Sequence, residues 1–559
     1  MNGHASLNRF YRLVWSQVTQ SWHAVSELTK SSGKGASRSR QLVLGTIASV
    51  VLAGSASTLY AQQAPPAATQ LPSGGAVTKG TATISQTATA QAAAMTINQS
   101  SQRAVINWNS FNVGQNASVV FNQPNAQAVT LNRIADQNPS QIYGQMQANG
   151  QVFLTNPNGV YFSPTSQVDV GALVATTHSI SDNDFMAGNN AFSRNGATGK
   201  VINEGQLNAA LGGYIALLAP EVRNSGVVVA QAGTVALAAG EVITLNINGS
   251  GGMLGLSTTP STIATLIENK EAVQAPDGQI ILSAVALSKL QAGVIKNSGR
   301  LAANSLSTQG GQIVLEADDI TLSATSAISA TGPTGGGTVL VGGDWQGSGS
   351  LRQATKVTMD AGATIDASAT VHGDGGKVVL WSDVRNAESQ TQVHGRIQAN
   401  AGAQSGNGGQ IETSGHALHV NGIEISTQAP AGATGTWLLD PTNFTIAPTG
   451  GDITGAALST AIDSARVVIQ SDSSLNGAIA ATHVGTGSSA GQGDIVINDN
   501  ISWTTKTSSI IFKASGVDNA EFKAQQIGLA FAAISRDAGP IIDKRQALAN
   551  QPIEQGRFA

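Results

Sequence analysis

Residues 151–177 read QVFLTNPNGVYFSPTSQVDVGALVATT, and the fold turns on this stretch. Val152-Phe153-Leu154 is a short apolar run of the kind that forms a strand. It stops at Asn156-Pro157-Asn158-Gly159. Pro157 fixes its own φ and pushes Asn156 into an extended conformation. Asn158 and Gly159 tolerate positive φ, so the four make a tight turn. Val160-Tyr161-Phe162 reads as a second strand, followed by another turn at Ser163-Pro164. Strand, corner, strand, corner, with no helix between, describes a chain that winds rather than one that pairs hairpins.

The chain on either side supports winding. Before this stretch, Ala104-Val105-Ile106, Val119-Val120-Phe121 and Val129-Thr130-Leu131 are short apolar runs with turn residues between them. Trp108, Phe111 and Phe121 supply large side chains for the start of a core. After it, Gly followed by an apolar strand recurs at GGYIALLA, AGTVALAA, DGQIILSA, GGQIVLEA, GGGTVLVG, GGKVVLWS and GGQIETSG. The Gly before each strand is Gly213, Gly233, Gly278, Gly311, Gly337, Gly376 and Gly409, and small residues at such corners let the backbone turn without strain. Between copies lies a second unit with an Asn-Glu-Gly or Asn-Ser-Gly turn, at Ile202, Val222 and Ile295. Each unit has too little apolar surface to fold alone, whereas stacked units share one core. The expectation is an all-β chain, a right-handed parallel β-helix (solenoid). At roughly 20–25 residues and about 4.8 Å of rise per coil, residues 95–515 form a rod of about 80–100 Å. A β-sandwich array is the alternative, opposed by the scarcity of two-residue hairpin loops.

Composition narrows the class. Charged residues are 11% of the 559 and glycines number 64, unlike an ordinary enzyme or a charged disordered chain. Of the net charge of −4, the first forty residues carry +5 (six basic residues against Glu27), leaving −9 for the rest. An acidic body excludes an electrostatic case for nucleic acid. Cysteine is absent, which rules out disulfides and thiolate metal sites and suits transit through an oxidising compartment.

Residues 41–53, QLVLGTIASVVLA, are apolar, preceded by Lys30, Lys34, Arg38 and Arg40, and too short to span a bilayer comfortably. They read as a signal peptide cleaved after Ala61, with a membrane anchor as the alternative. About forty residues precede this core, including NRFYRLVWSQVTQSWHAVSELTK. Taken alone they also suit a short amphipathic helix with aromatic anchors. The expected segments are 1–61, extended signal; 62–94, weakly structured lead-in; 95–200, amino-proximal part of the β-helix; 201–436, continuing repeats; 437–515, further β-rich repeats; and 516–559, an atypical tail whose texture suggests truncation.

The long signal region, FLTNPNG, GGQIETSGHAL (408–418) and WLLDPTNFTI (437–446) occur in one order. Together they resemble the secreted partner of two-partner secretion systems, of the filamentous-haemagglutinin and high-molecular-weight adhesin types. The resemblance implies an amino-proximal secretion domain in the early coils, of haemagglutination-activity type, read by an outer-membrane β-barrel transporter. It implies a Gram-negative source and a product outside the cell or on its surface, acting as an adhesin on a host or bacterial receptor, a glycan among the candidates. The family's NPNL motif is not matched; the nearest earlier segment is Asn122-Gln123-Pro124-Asn125.

No catalytic constellation stands out: GxSxG, HExxH and P-loop motifs are missing in context. His372, His394, His416 and His419 read as exposed loop residues, and Asp318, Asp319 and Asp366 as solvated corners. The expectation is a non-enzymatic monomer without cofactor or metal, in which Asn156, Pro157, Asn158 and Gly159 form a corner needed for secretion. The alternatives are a contact-dependent toxin or haemolysin stalk, an autotransporter passenger, and a polysaccharide-active β-helix.

Overall fold

The computed structural model describes residues 64–288, 291–471, 495–505 and 508–514, with the strands Tyr11–Ser16, Ser21–Ser26 and Ile541–Ile542. It divides into two units, Met1–Gln63 and Ala64–Ala559. In the first, Tyr11–Ser16 pairs antiparallel with Ser21–Ser26, Tyr11 opposite Ser26. The helical alternative for this segment is therefore corrected to a strand pair. Ala61 lies outside the described residues, as does the tail from 515 onward apart from Ile541–Ile542.

The second unit is a parallel β-helix of three sheets. One coil shows how the opening stretch is used. Gln151–Thr155 lies in sheet I, Val160–Phe162 in sheet III and Gln167–Val170 in sheet II. The chain then returns to sheet I at Ala172–Thr176, with Gln151 paired to Ala172 in parallel register. Among the described residues sheet I has 16 strands, sheet II 13 and sheet III 10. The first and last strands of sheet I are antiparallel, which leaves fourteen parallel rungs and a stack of about 60 Å. That is shorter than the expected 80–100 Å. Excursions from the coils, chiefly α1 (Asp182–Ala187), the hairpin Val242–Ile247/Met253–Thr258 and residues 342–355, consume residues without adding rise, and α2 (Gly455–Ser464) spends 10 residues where other coils have a short strand.

A bare rung would expose unpaired N–H and C=O groups. At the start, Ala76–Lys79 runs antiparallel to Arg103–Trp108, and Ala82–Ala88 antiparallel to Ala93–Gln99. The expected weakly structured lead-in is thus, from residue 64, an ordered cap made of reversed strands. Sheet II ends at Glu424–Ser426. Beyond it α2 takes the next place, burying Leu458, Ala461 and Ile462, and Ser464 Oγ donates to the Ile425 carbonyl at 2.6 Å.

Sheet II strands alternate exposed and buried positions, as in Gln167–Val170. Several sheet I strands, including Gln151–Thr155, Ala172–Thr176 and Tyr214–Leu218, are buried at every position, so both faces of that sheet are covered there. One apolar core runs inside the coils from Ala93 to Phe512. Trp108 meets Phe111 edge-on at 5.4 Å, and both are buried with Phe121 at its start.

All seven repeated glycines immediately precede sheet I strands, and they stack. A Cβ on Gly233 would strike the carbonyl of Gly213, one on Gly278 that of Gly233, and so on through Gly311, Gly337, Gly376 and Gly409. None of the seven has positive φ. Their necessity is close approach between rungs, not conformational freedom at a corner, which corrects the reading from sequence.

Candidate functional site

The Asn156–Gly159 corner is built into its neighbours. Asn156 is buried, and its Nδ2 donates to the Asn138 carbonyl at 3.0 Å and to Ser140 Oγ at 3.1 Å, both on the preceding coil. Its Oδ1 accepts from Asn158 N–H at 3.0 Å, an Asx turn, and its carbonyl accepts from Gly159 N–H at 2.9 Å. Its own N–H donates to the Thr176 carbonyl on the next coil. Asn158 Nδ2 reaches the Asp136 carbonyl at 2.7 Å. Only Gly159 takes positive φ, +125°, and a Cβ there would crowd the Lys200 carbonyl. Pro157 and Asn158 present their outer surfaces to solvent. The corner thus pins three successive coils.

Asn122-Gln123-Pro124-Asn125, set aside in the sequence as an unmatched motif, forms a second fastening. The buried Gln123 amide donates to the Ala128 and Gln151 carbonyls at 3.1 and 3.0 Å and accepts from Gly150 N–H at 3.0 Å. Asn125 and Gln102 exchange amide hydrogen bonds at 3.0 and 3.1 Å. This bend joins sheet II to sheet I, a different corner from Asn156–Gly159, and what the two share is an Asx turn, here Asn125 Oδ1 accepting from Gln127 N–H at 3.0 Å.

Outside sheet I an apolar cover seals these coils. Phe153 lies 5.9 Å from Phe185 of α1 and 5.9 Å from Phe192, amid Val105, Leu131, Val174 and Leu245. Two arginines hold α1: Arg103 Nη1 donates to the Phe185 carbonyl at 2.7 Å with its guanidinium over that ring, and Arg133 pairs with Asp182 at 2.8 Å. His178 is fully buried where the chain leaves sheet I. Its Nε2 faces the Gly240 carbonyl at 2.9 Å and must carry the proton, because that carbonyl can only accept. Burial holds its pKa down to about 4.

In sheet III, three Asn-x-Gly turns and the Asn269-Lys270-Glu271 turn place a spine of amides. Asn203 donates to Asn224 at 2.8 Å, Asn224 to Asn269 at 2.8 Å, Asn269 to Asn297 at 2.7 Å, and Asn297 to Ser326 Oγ at 2.6 Å. All four asparagines are buried, in register at strand ends, and each also bonds backbone two residues on. Before and after the spine the same column is apolar: Phe162 precedes it and Leu322 follows.

The later motifs also stack. GGQIETSG lies directly on GGKVVLWS and beneath WLLDP, with Trp381 opposite Ser414 and Ser414 opposite Asp440. His416, at a bend, is half-buried, and His419 ends the strand Ala417–His419 with its side chain still 43% exposed, so neither is a free loop histidine. His416 Nδ1 meets the Thr442 hydroxyl at 2.9 Å, and His419 pairs with Asp452 at 3.0 Å. Asp318 is not a solvated corner either; it is buried and paired with Arg352 at 2.6 Å. These residues fasten coils. Among the described residues no group of three or more His, Asp or Glu side chains could hold a metal, and no helix is long and apolar enough to cross a membrane.

With this geometry in view the comparisons are specific. Residues 68–330 match the TPS secretion domain, and residues 8–56 match the extended signal peptide of type V secretion systems. The first match takes in the cap, the Asn156–Gly159 corner, the Gln123 fastening, the apolar cover and the amide spine. The crystal structure of the HMW1 secretion domain from Haemophilus influenzae is similar at 28% identity and TM-score 0.53, covering 66% of this chain and 100% of that one. Two heme/hemopexin-binding proteins of Haemophilus influenzae are 31% and 29% identical, each over 51% of this chain. The chain spans about a third of the length of these relatives, 31% and 32%. The signal and the secretion domain send the product through the periplasm and across the outer membrane, to the surface or beyond. A capped β-helix with this secretion domain, behind this signal, makes the chain a homologue of the exported exoproteins of two-partner secretion.

Proposed function

We propose that this chain is handed across the outer membrane by a dedicated β-barrel transporter and acts outside as a non-enzymatic binding protein, an adhesin. The match of the secretion domain to the capped early coils carries the transporter half of this reading. Propagation of folding suits it, because each coil templates the next and no cysteine interrupts transit. The resemblance of the motifs to haemagglutinin-type adhesins supports the second half. The test is co-expression with and without the transporter. Secretion only in its presence is expected; equal secretion without it overturns the proposal.

A second reading is favoured by the names of the two curated relatives, which bind heme or hemopexin. Purified secreted chain separates the two. Saturable binding to epithelial cells without a heme-dependent absorbance change supports the adhesin. Heme or hemopexin capture without cell binding supports the alternative.

A further inference from the structure

Beyond the secretion domain, residues 342–355 leave sheet I between Thr338–Val341 and Lys356–Met359 and cross its outer face. Trp345 and Leu351 pack on Val314, Leu340, Val379, Trp381 and Val384. This path has little intrinsic preference. Gly342, Gly347 and Gly349 have φ of +78°, +61° and +75°, and Gln346, with a side chain, sits at +52°. Contacts to the sheet therefore hold it.

Those contacts lie at two ends. At one, Arg352 N–H donates to Glu316 at 2.9 Å and its guanidinium to Asp318 at 2.6 and 2.8 Å. At the other, Gln346 N–H donates to Glu412 Oε2 at 2.8 Å, while Ser414 Oγ donates to Glu412 Oε1 at 2.9 Å. Between them Trp381 Nε1 donates to Gln353 Oε1 at 3.1 Å. Glu412 has no exposed surface. The charged groups acting on it are Asp440 from the next rung and Asp344 from the crossing segment, both acidic. Arg352 is committed to Asp318 at the far end.

We propose that residues 342–355 are a strap that closes over this apolar face while Glu412 is neutral and lifts at its Gln346 end when Glu412 ionises, uncovering Trp381. Ionisation gathers carboxylates in a buried site. Burial raises the Glu412 carboxyl to about 8, outweighing the Gln346 N–H and Ser414 hydroxyl bonds, which by themselves favour its charge; lifting the strap gives up the first of these and lets water reach the carboxylate. A folded value above the ordinary one means that its stabilising contribution is present at low pH and lost as pH rises through about 8. The strap is closed at neutral pH and opens on the alkaline side.

The test is hydrogen–deuterium exchange of the secreted full chain at pH 6 and pH 9, each corrected for the intrinsic exchange rate. Protection in 342–355 should fall by up to about a hundredfold, because opening is favoured tenfold per pH unit from pH 6 up to the closed-state value of about 8 and no further above it. Amides of Lys377–Trp381 beneath should not change. Glu412→Gln should stay protected at pH 9. Equal protection of the wild type at both pH values, or loss of protection in Glu412→Gln as well, overturns the proposal. Should Glu412→Gln not fold, Asp344→Asn serves. It removes a charge that keeps the carboxyl neutral, so the opening midpoint should move to lower pH, and an unmoved midpoint overturns the proposal.

Discussion

Sheet I wears two covers on its outer face, and they are made differently. The early one, over Phe153, is broad: α1 and an antiparallel hairpin enclose a wide apolar cluster, and Arg103 and Arg133 grip backbone carbonyls of the α1 segment. The late one, residues 342–355, covers five buried apolar residues and is fastened through carboxylates. The early cover contains buried neutral His178, whose protonation opposes it on the acid side. The late cover depends on Glu412, whose ionisation opposes it on the alkaline side. Fastening by permanent charge and apolar area makes a cover part of the fold, whereas fastening by a buried acid makes it conditional.

Five variants break or sharpen this contrast. Phe153→Ala should cost about 3–5 kcal/mol, and Trp381→Ala about as much by burial alone. Urea unfolding of the secreted protein checks both, but their consequences should differ. Loss of Phe153 undermines coils of the secretion domain itself and should lower export. Loss of Trp381 should leave export intact and free residues 342–355 to proteolysis at Arg352. Equal export of the two variants would erase the distinction.

Next comes the corner. Asn156→Ala with Asn158→Ala removes the hydrogen bonds that pin three coils and should reduce the secreted fraction severalfold, at about 1–3 kcal/mol for each buried partner orphaned. Wild-type yield of the double variant in medium would remove this corner from the account. Asn224→Ala interrupts the amide spine, leaving the Asn203 amide and the Asn269 carboxamide each short of one partner. About 1–3 kcal/mol should be lost, read as a lower denaturation midpoint, with export little changed.

The smallest effect near neutrality belongs to His178→Gln. The wild-type imidazole is held at about 4, below its ordinary 6.5. Its contribution is therefore complete above about pH 6.5 and lost as pH falls toward 4. The glutamine variant should show a flatter stability profile between pH 7 and pH 4. An identical acid limb in the two proteins would assign the acid sensitivity elsewhere.

Much of this was legible in the residues. The winding, the strand at Gln151–Thr155, and the seven glycine-led strands lie where their pattern put them, because Gly before a β-branched run admits few other arrangements. The role of those glycines was not legible. Close approach between rungs is a relation between residues 20–45 apart, and a single unit does not reveal it. The covers were partly legible: a run apolar at every position, such as Tyr214–Leu218, signals burial on both faces, whereas Ile328 between Ala327 and Ser329 signals one. The amide spine hid inside turns read only as turns. Asn224 and Asn269 sit next to each other solely because a hairpin's worth of chain is looped out between their coils.

The spine also sets how the molecule answers a pull. Tension applied from the far end of an anchored chain peels coils one at a time, since each rung contacts only its neighbours. From Leu322 outward the corresponding corner is greasy and resists only through shape, but at Asn297 the peeling front meets a continuous run of interlocked carboxamides. Unravelling should stall there, so that under shear the distal coils are sacrificed and the proximal block survives as a durable stump.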